Sequence, residues 1–280
     1  MNTSGPIIFV HIVKGGGVTL QHIISRHFPQ SRSLRTAVSQ EDSTLIRFEK
    51  LTQKEKDSIQ FLYGHVPFGL HRYFSYPCRY ITMLREPVAR VISFYYYAQE
   101  KKSSPYKADQ LAKGITLKDF IESDIAMVAN FQTRMIAGEY TAGYAAARPL
   151  GEDALETAKK HIDDDIIFPG IMEQFDESLI LMKKKLGLSC IYYARANENK
   201  NPKYRSEKEN IPAHIIEIIK KNNAFDIALY DYAKSRFERM KKEYGPSFDR
   251  DLRRFQKWNK WYQALRINKV ESLARMLRVW

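Results

Sequence analysis

Apolar positions in this chain fall into short unbroken runs over its first third and into helical spacing over the remainder. Ile7–Ile12 (IIFVHI) is almost wholly apolar and β-branched, as a strand buried on both faces of an α/β sheet requires. Lys14–Gly17 (KGGG) follows as a loop. Val18–His27 then predicts a helix with Leu20, Ile23, Ile24 and His27 on one face. A second unit repeats the plan: Arg79–Leu84 predicts a strand, Arg85-Glu86-Pro87 a turn and Val88–Ala98 a helix, with Pro87 where a helix can begin. Between the two units, Thr44–Lys50 and Phe61–His65 predict further strands.

Beyond residue 100 the pattern is mainly helical. Thr116 is placed to cap Leu117–Ser123, and further helices are expected over Met127–Ile136, Asp153–His161 and Asp176–Leu186. Asp165–Phe168 and Cys190–Tyr193 predict strands, and the polar stretch Pro202–Glu209 a loop. Asn210 caps a helix with Pro212 in its first turn and Ile215, Ile216, Ile218 and Ile219 on its buried side, and Ala224–Glu243 continues as another. Pro246 marks a break. Residues 247–280 carry nine Lys/Arg against three Asp/Glu, with Leu252, Phe255, Trp258, Tyr262 and Leu265 at steps of three and four. That is a basic amphipathic helix or helix pair, which either docks on the domain or contacts an anionic membrane or partner. The expected organisation is a domain over 1–245 and a basic helical extension over 246–280.

Composition narrows the class. With 44% hydrophobic and 28% charged residues among 280, a sizeable core is available and global disorder is excluded. Two cysteines, Cys78 and Cys190, build neither a disulfide framework nor a Cys-rich zinc site. The formal net charge of +13 favours an anionic partner: nucleic acid, acidic membrane, polyanionic substrate or phosphorylated nucleotide. Met1–Pro6 lacks a basic leader region, Pro6–Val10 is too short for a signal core, and no run of 18 apolar residues occurs, so a cytoplasmic location is expected.

Two segments carry candidate chemistry. In His11–Leu20 (HIVKGGGVTL), Gly15, Gly16 and Gly17 let the backbone wrap a phosphate, the helix start adds partial positive charge, Lys14 adds a full one and Thr19 a hydroxyl. A Walker A loop places its Lys after the glycines. Here Lys14 precedes them, which disfavours an ordinary P-loop nucleotidase; the plainer alternative is a glycine turn beside a solvated lysine. In Leu84–Ser93 (LREPVARVIS), Arg85 sits at the carboxyl end of a strand, where open α/β sheets bind ligands, and its guanidinium suits a phosphate. Ser93 on the following helix can donate to the same phosphate. The plainer alternative here is an Arg–carboxylate pair and a capped helix.

Taken together the two segments resemble the nucleotide-binding stretches of sulfotransferases that use 3′-phosphoadenosine 5′-phosphosulfate (PAPS), and most of all the carbohydrate-type sulfotransferase family 2 with its bacterial members. Tyr63–His71 (YGHVPFGLH), Asn130–Arg134 (NFQTR) and Gln174–Ser178 (QFDES) resemble further segments of that family, in order, so the likeness runs over roughly residues 7–245. The resemblance implies a three-layer, P-loop-like α/β fold: a central, mainly parallel sheet flanked by helices, with a helix-rich C-terminal half. It implies PAPS as co-substrate, no metal, and a carbohydrate or glycolipid acceptor. Lys14, Gly15, Gly16, Gly17, Val18 and Thr19 would line the 5′-phosphosulfate loop, with Lys14 also stabilising the leaving phosphate, and Arg85 and Ser93 would hold the 3′-phosphate. His65 would be the general base, by resemblance to glycosaminoglycan 2-O-sulfotransferases, and an imidazole suits proton transfer near neutral pH. His71 stands second as base or substrate contact. Gln132 and Arg134, with Asn130 and Thr133, would bind nucleotide or acidic sugar, and Asn197, Asn199 and Lys200 the adenosine end. Val13, Gly15 and Val18 depart from the family's usual Pro, Thr and Ser/Thr, and the last two remove hydroxyl donors worth about 1.5–3 kcal/mol each toward a charged acceptor. Rival readings are a P-loop-fold nucleotide kinase, a catalytically weak PAPS-binding relative and a nucleic-acid-binding protein, although no nucleic-acid module is visible.

Overall fold

The computed structural model describes residues 5–36, 48–100, 114–123, 125, 127–139, 149–194 and 211–277, with side chains to residue 265 in the last stretch. Among these, five parallel strands form one sheet: β1 (Ile7–Val10), β2 (Ser33–Thr36), β3 (Phe61–Gly64), β4 (Arg79–Leu84) and β5 (Ile166–Ile171), in the order β2-β3-β1-β4-β5. β1 lies at the centre, with Ile7 opposite Phe61 on one side and Arg79 on the other. All four of its side chains are buried, because both faces of a parallel sheet are covered. The three-layer α/β expectation holds, with every described strand pair parallel.

The helices are α1 (Gly17–Ser25), α2 (Gln53–Ser58), α3 (Pro87–Glu100), α4 (Leu117–Ile121), α5 (Phe131–Ala137), α6 (Glu152–Asp164), α7 (Phe175–Leu186), α8 (Ala213–Asn222), α9 (Ala224–Tyr244) and α10 (Phe248–Leu277). α6, α7 and α9 pack on β5, α8 packs on α3 and α4, and α10 packs on α7. Thr116 caps α4 as expected, in a reciprocal box with Asp119. Pro87 opens α3, where the Glu86 carboxylate accepts from the Val88 and Ala89 amides at 3.0 and 2.6 Å.

Several expectations are corrected. Residues 48–50 are helical rather than strand, and 44–47 lie outside the described residues. The edge strand is instead Ser33–Thr36, too short and polar to stand out. Residues 190–193 form no strand: the Tyr193 amide bonds Asn259 Oδ1 at 2.8 Å and the Cys190 and Tyr192 carbonyls bond His27 and Arg26, so α10 and α1 satisfy that backbone. β5 runs through Pro169 and Gly170, a tolerated place for proline because β5 is an edge of the described sheet. α5 starts at Phe131, because Asn130 adopts a left-handed φ of 49°. On α8, Ile215 and Ile219 are buried and Ile216 and Ile218 only half-buried. The expected Asn210 cap and the loop over 202–209 lie outside the described residues.

The topology fixes where a ligand would sit. The chain leaves β1 toward the β2 edge and leaves β4 toward the β5 edge, yet β1 and β4 are neighbours. Such a reversal opens a crevice beyond the carboxyl ends of the two strands.

Candidate functional site

Both signal segments emerge at that crevice. The turn after β1 is tight: the Gly15 amide bonds the Ile12 carbonyl at 3.1 Å, and Lys14 and Gly16 take positive φ values of 64° and 78°. A side chain on Gly15 would bring its Cβ within 2.7 Å of the Met83 carbonyl oxygen; one on Gly16 would overlap Met172, and one on Gly17 the His11 ring. The Gly15 departure therefore has a physical cause: in this turn a threonine collides with β4. α1 begins with no side-chain cap, so its first amides remain available to an anion, in a backbone concavity of the kind that binds phosphate. Val18 is 38% exposed and offers no hydroxyl, while Thr19 is half-buried.

Arg85 meets this turn directly. Its Nη1 donates to the Lys14 carbonyl at 2.9 Å, and its guanidinium has no other partner among the described residues. Burial lowers its pKa, against the opposing charges of Glu173 and Glu86. Those two carboxylates are engaged elsewhere, Glu86 by the α3 amides and Glu173 by the Glu86 amide (3.0 Å) and the Tyr230 hydroxyl (2.8 Å). Lys14 places its Nζ 4.1 Å from the Tyr97 ring centre, a cation–π distance. Tyr97 lies one turn after Ser93 on α3, so half-buried Ser93 shares the helix face that flanks the lysine.

His65 follows β3 at the same edge of the sheet. Its Nδ1 lies 3.0 Å from the His11 carbonyl oxygen, and the two rings stack with centroids 4.5 Å apart. A carbonyl only accepts, so Nδ1 carries the proton and Nε2 is the basic nitrogen. Burial lowers the His65 pKa, the His11 contact raises it and the Arg35 charge lowers it, for a net fall. Burial, then His65 and Arg35, hold His11 well below the ordinary imidazole value. Both rings are therefore neutral at neutral pH. The His11 carbonyl thus orients the His65 ring.

The remaining expected contacts lie elsewhere. His71 joins the Tyr80 hydroxyl through its amide and Nδ1 at 2.9 and 3.0 Å, near the start of β4. About 16 Å of strand separates that point from Arg85, so His71 is not brought to the crevice. Gln132 is fully buried, and its side chain brackets the Arg85 backbone: Oε1 accepts from the Arg85 amide at 3.0 Å and Nε2 donates to the Arg85 carbonyl at 2.9 Å. It positions Arg85 rather than presenting an amide to a sugar. Arg134 is 7% exposed, and its Nε donates to the Ala129 carbonyl at 3.3 Å. Asn197, Asn199 and Lys200 lie outside the described residues.

Sequence reasoning missed the buried hub behind the site. Asp226 accepts from the Gln132 and Thr133 amides and the Thr133 hydroxyl at 3.1, 2.8 and 2.9 Å, and stands 4.0 Å from Arg90. Arg90 donates to the Met127 and Val128 carbonyls, and burial lowers its pKa to about 10, so it stays charged at neutral pH. Asn130 Oδ1 accepts from the Phe225 and Asp226 amides, while Asn223 Oδ1 accepts from the Asn130 amide, so α5 and α9 cap one another. Such long-range capping leaves no periodic trace in a sequence. Among the described residues no cluster of three or more His, Cys, Asp or Glu is grouped to hold a metal ion.

No family model matches the chain. It is similar to human uronyl 2-sulfotransferase, at 22% identity over 187 residues, covering 59% of this chain and 44% of that protein. It is also similar to chicken heparan-sulfate 6-O-sulfotransferase 1, at 26% identity over 275 residues, covering 81% and 65%. The chain thus spans less than two thirds of either relative. Among solved structures, a mouse sulfotransferase complexed with PAP matches with a TM-score of 0.38 and 15% identity, over 90% of this chain and 89% of that one.

Proposed function

We propose that this chain is a PAPS-dependent sulfotransferase that sulfates a hydroxyl of an acidic, glycosaminoglycan-type carbohydrate. The reading rests chiefly on one observation: the Arg85 guanidinium reaches the Lys14 carbonyl at 2.9 Å, so both phosphate-binding segments share the crevice between β1 and β4. Similarity to two carbohydrate sulfotransferases supports it.

PAPS would supply an activated sulfuryl group. Lys14 and the first amides of α1 would offset charge on its 5′-phosphate as the S–O bond breaks, and Arg85 and Ser93 would grip the 3′-phosphate. The uncapped α1 start and the left-handed turn fit the first task, and the open side of the Arg85 guanidinium fits the second. His65 Nε2 would accept the proton of the attacking hydroxyl, its ring held by the His11 carbonyl. The net charge of +13 suits an acidic acceptor.

The test joins binding to turnover. The product nucleotide PAP is expected to raise the melting temperature well beyond AMP or ATP, by linkage. Labelled sulfate is expected to pass from PAPS to desulfated heparin or dermatan. His65→Ala is expected to retain the PAP shift and lose transfer. A magnesium-dependent ATP turnover with no response to PAP would transfer the assignment to a kinase.

A further inference from the structure

Among the described residues, the large apolar side chains standing exposed are Val18, Tyr76, Trp258, Trp261 and Leu265. The last three share one helix, at steps of three and four that put them on one face of α10. They are 50%, 64% and 58% exposed. The sequence reading put Trp258 and Leu265 on one apolar face with Phe255 and Tyr262, either to dock on the domain or to contact an anionic membrane or partner; the structure splits that face in two. The packed side is instead Phe255, Asn259 and Tyr262: the first and last stack on Tyr192, and Asn259 binds the Tyr193 amide. α10 is thus docked by one side while a separate apolar strip faces outward.

Cations surround that strip. Arg253, Arg254, Lys257 and Lys260 are all exposed. Arg254, one turn before Trp258, also lines a cavity of about 760 Å³ between α7 and α10, together with Lys183, Lys184, Tyr192, Tyr244 and a single carboxylate, Asp251, which is engaged by the Tyr244 hydroxyl at 3.0 Å. The side chains of Lys183 and Arg254 have no ion-pair or hydrogen-bond partner among the described residues, and Lys184 rests on the Tyr244 ring at 4.3 Å.

We propose that this face of α10, with the adjoining cationic cavity, docks the protein on an anionic phospholipid bilayer. Tryptophan and leucine would enter the interfacial layer while the lysines and arginines meet lipid phosphates. Three features favour a bilayer over a soluble glycan or a second copy. The strip is convex, so it cannot enclose a sugar. Leu265 offers a sugar neither hydrogen bond nor ring. The surrounding positive charge repels an identical face. The proposal does not depend on the sulfotransferase reading.

The test is co-sedimentation of the full chain with phosphatidylcholine vesicles, with and without phosphatidylserine, at low and physiological salt. Binding that requires phosphatidylserine and weakens with salt is expected. The triple variant W258S/W261S/L265S and the double variant K257E/K260E are each expected to lose binding by about tenfold or more. Their circular dichroism and PAP-induced melting shift should match the parent, which keeps this test apart from the catalytic one. Absence of binding to phosphatidylserine vesicles at low salt would overturn the proposal, as would undiminished binding by both variants. Retention on heparin lost through the triple variant, with vesicles ignored, would reassign the face to a glycan.

Discussion

Arg85 and Arg90 belong to one short segment, yet the fold gives them opposite tasks. Arg90 is fully buried: its Nη1 and Nη2 donate to two carbonyls, and its Nε faces Asp226 at 4.0 Å without a hydrogen bond. Arg85 stands half-buried at a strand end, with one guanidinium bond, to the Lys14 carbonyl. Charge met within the protein is architecture, while charge with spare donors beside a crevice is what the proposed phosphate contact requires. Gln132 links the two settings: its backbone belongs to the Asp226 hub and its side chain clamps Arg85.

This contrast can be broken from either side. The largest effect is expected from Asp226→Ala, which strands Arg90 as a buried unpaired charge and removes the acceptor for two amides. A loss of about 3–5 kcal/mol in urea unfolding is expected; a loss below about 1 kcal/mol would mean that the hub is not structural. Next come Arg85→Ala and Lys14→Ala. Each is expected to weaken PAP binding by about 1.5–3 kcal/mol, roughly 10- to 150-fold by calorimetry, through loss of charge-assisted contacts. Stability should stay nearly unchanged, and unaltered sulfation by both variants would remove the functional reading. Gln132→Met deletes the clamp but keeps Arg85. PAP affinity is expected to fall by about 1 kcal/mol, several-fold, while AMP affinity, which lacks the 3′-phosphate, barely moves. An equal loss for both nucleotides would mark Gln132 as a packing residue only.

The smallest effect is in pH. His11 and His65 both have folded pKa values below their ordinary 6.5, so the folded form binds fewer protons than the unfolded chain once pH falls under about 6.5. Their contribution is complete above that pH and is lost as acid protonates the pair. Melting temperature is therefore expected to fall from pH 7.5 to 5.5, as the unfolding free energy drops by at most about 1.4 kcal/mol per pH unit below 6.5 for each ring. His65→Gln should flatten the slope, and an unchanged slope would mean that other groups set it.

The legible parts of the fold were those governed by neighbours in sequence. The β1 and β4 runs, the Thr116 cap and the Pro87 helix start each express a local rule of burial or backbone geometry. The misread parts depended on distant partners. Cys190–Tyr193 has strand-like composition, but Asn259 takes up the Tyr193 amide and the sheet does not. Gln132 and Arg134 look like ligand donors until their burial is seen. His71 resembles a second base, yet Tyr80 holds it at the far end of β4.

By itself the sequence determined the alternation of strand, glycine turn and helix, the residues proposed to meet phosphate, and the basic amphipathic character of α10. Hydrophobic period, glycine placement and charge are properties of consecutive residues. Only the tertiary structure decided that β1 and β4 are neighbours, that Arg85 meets the Lys14 turn, that the His11 carbonyl holds His65 through Nδ1, and that Trp258 and Trp261 face away from the body. Each of those facts depends on which remote backbone or side chain satisfies a polar or apolar surface, and that choice is made when the layers pack.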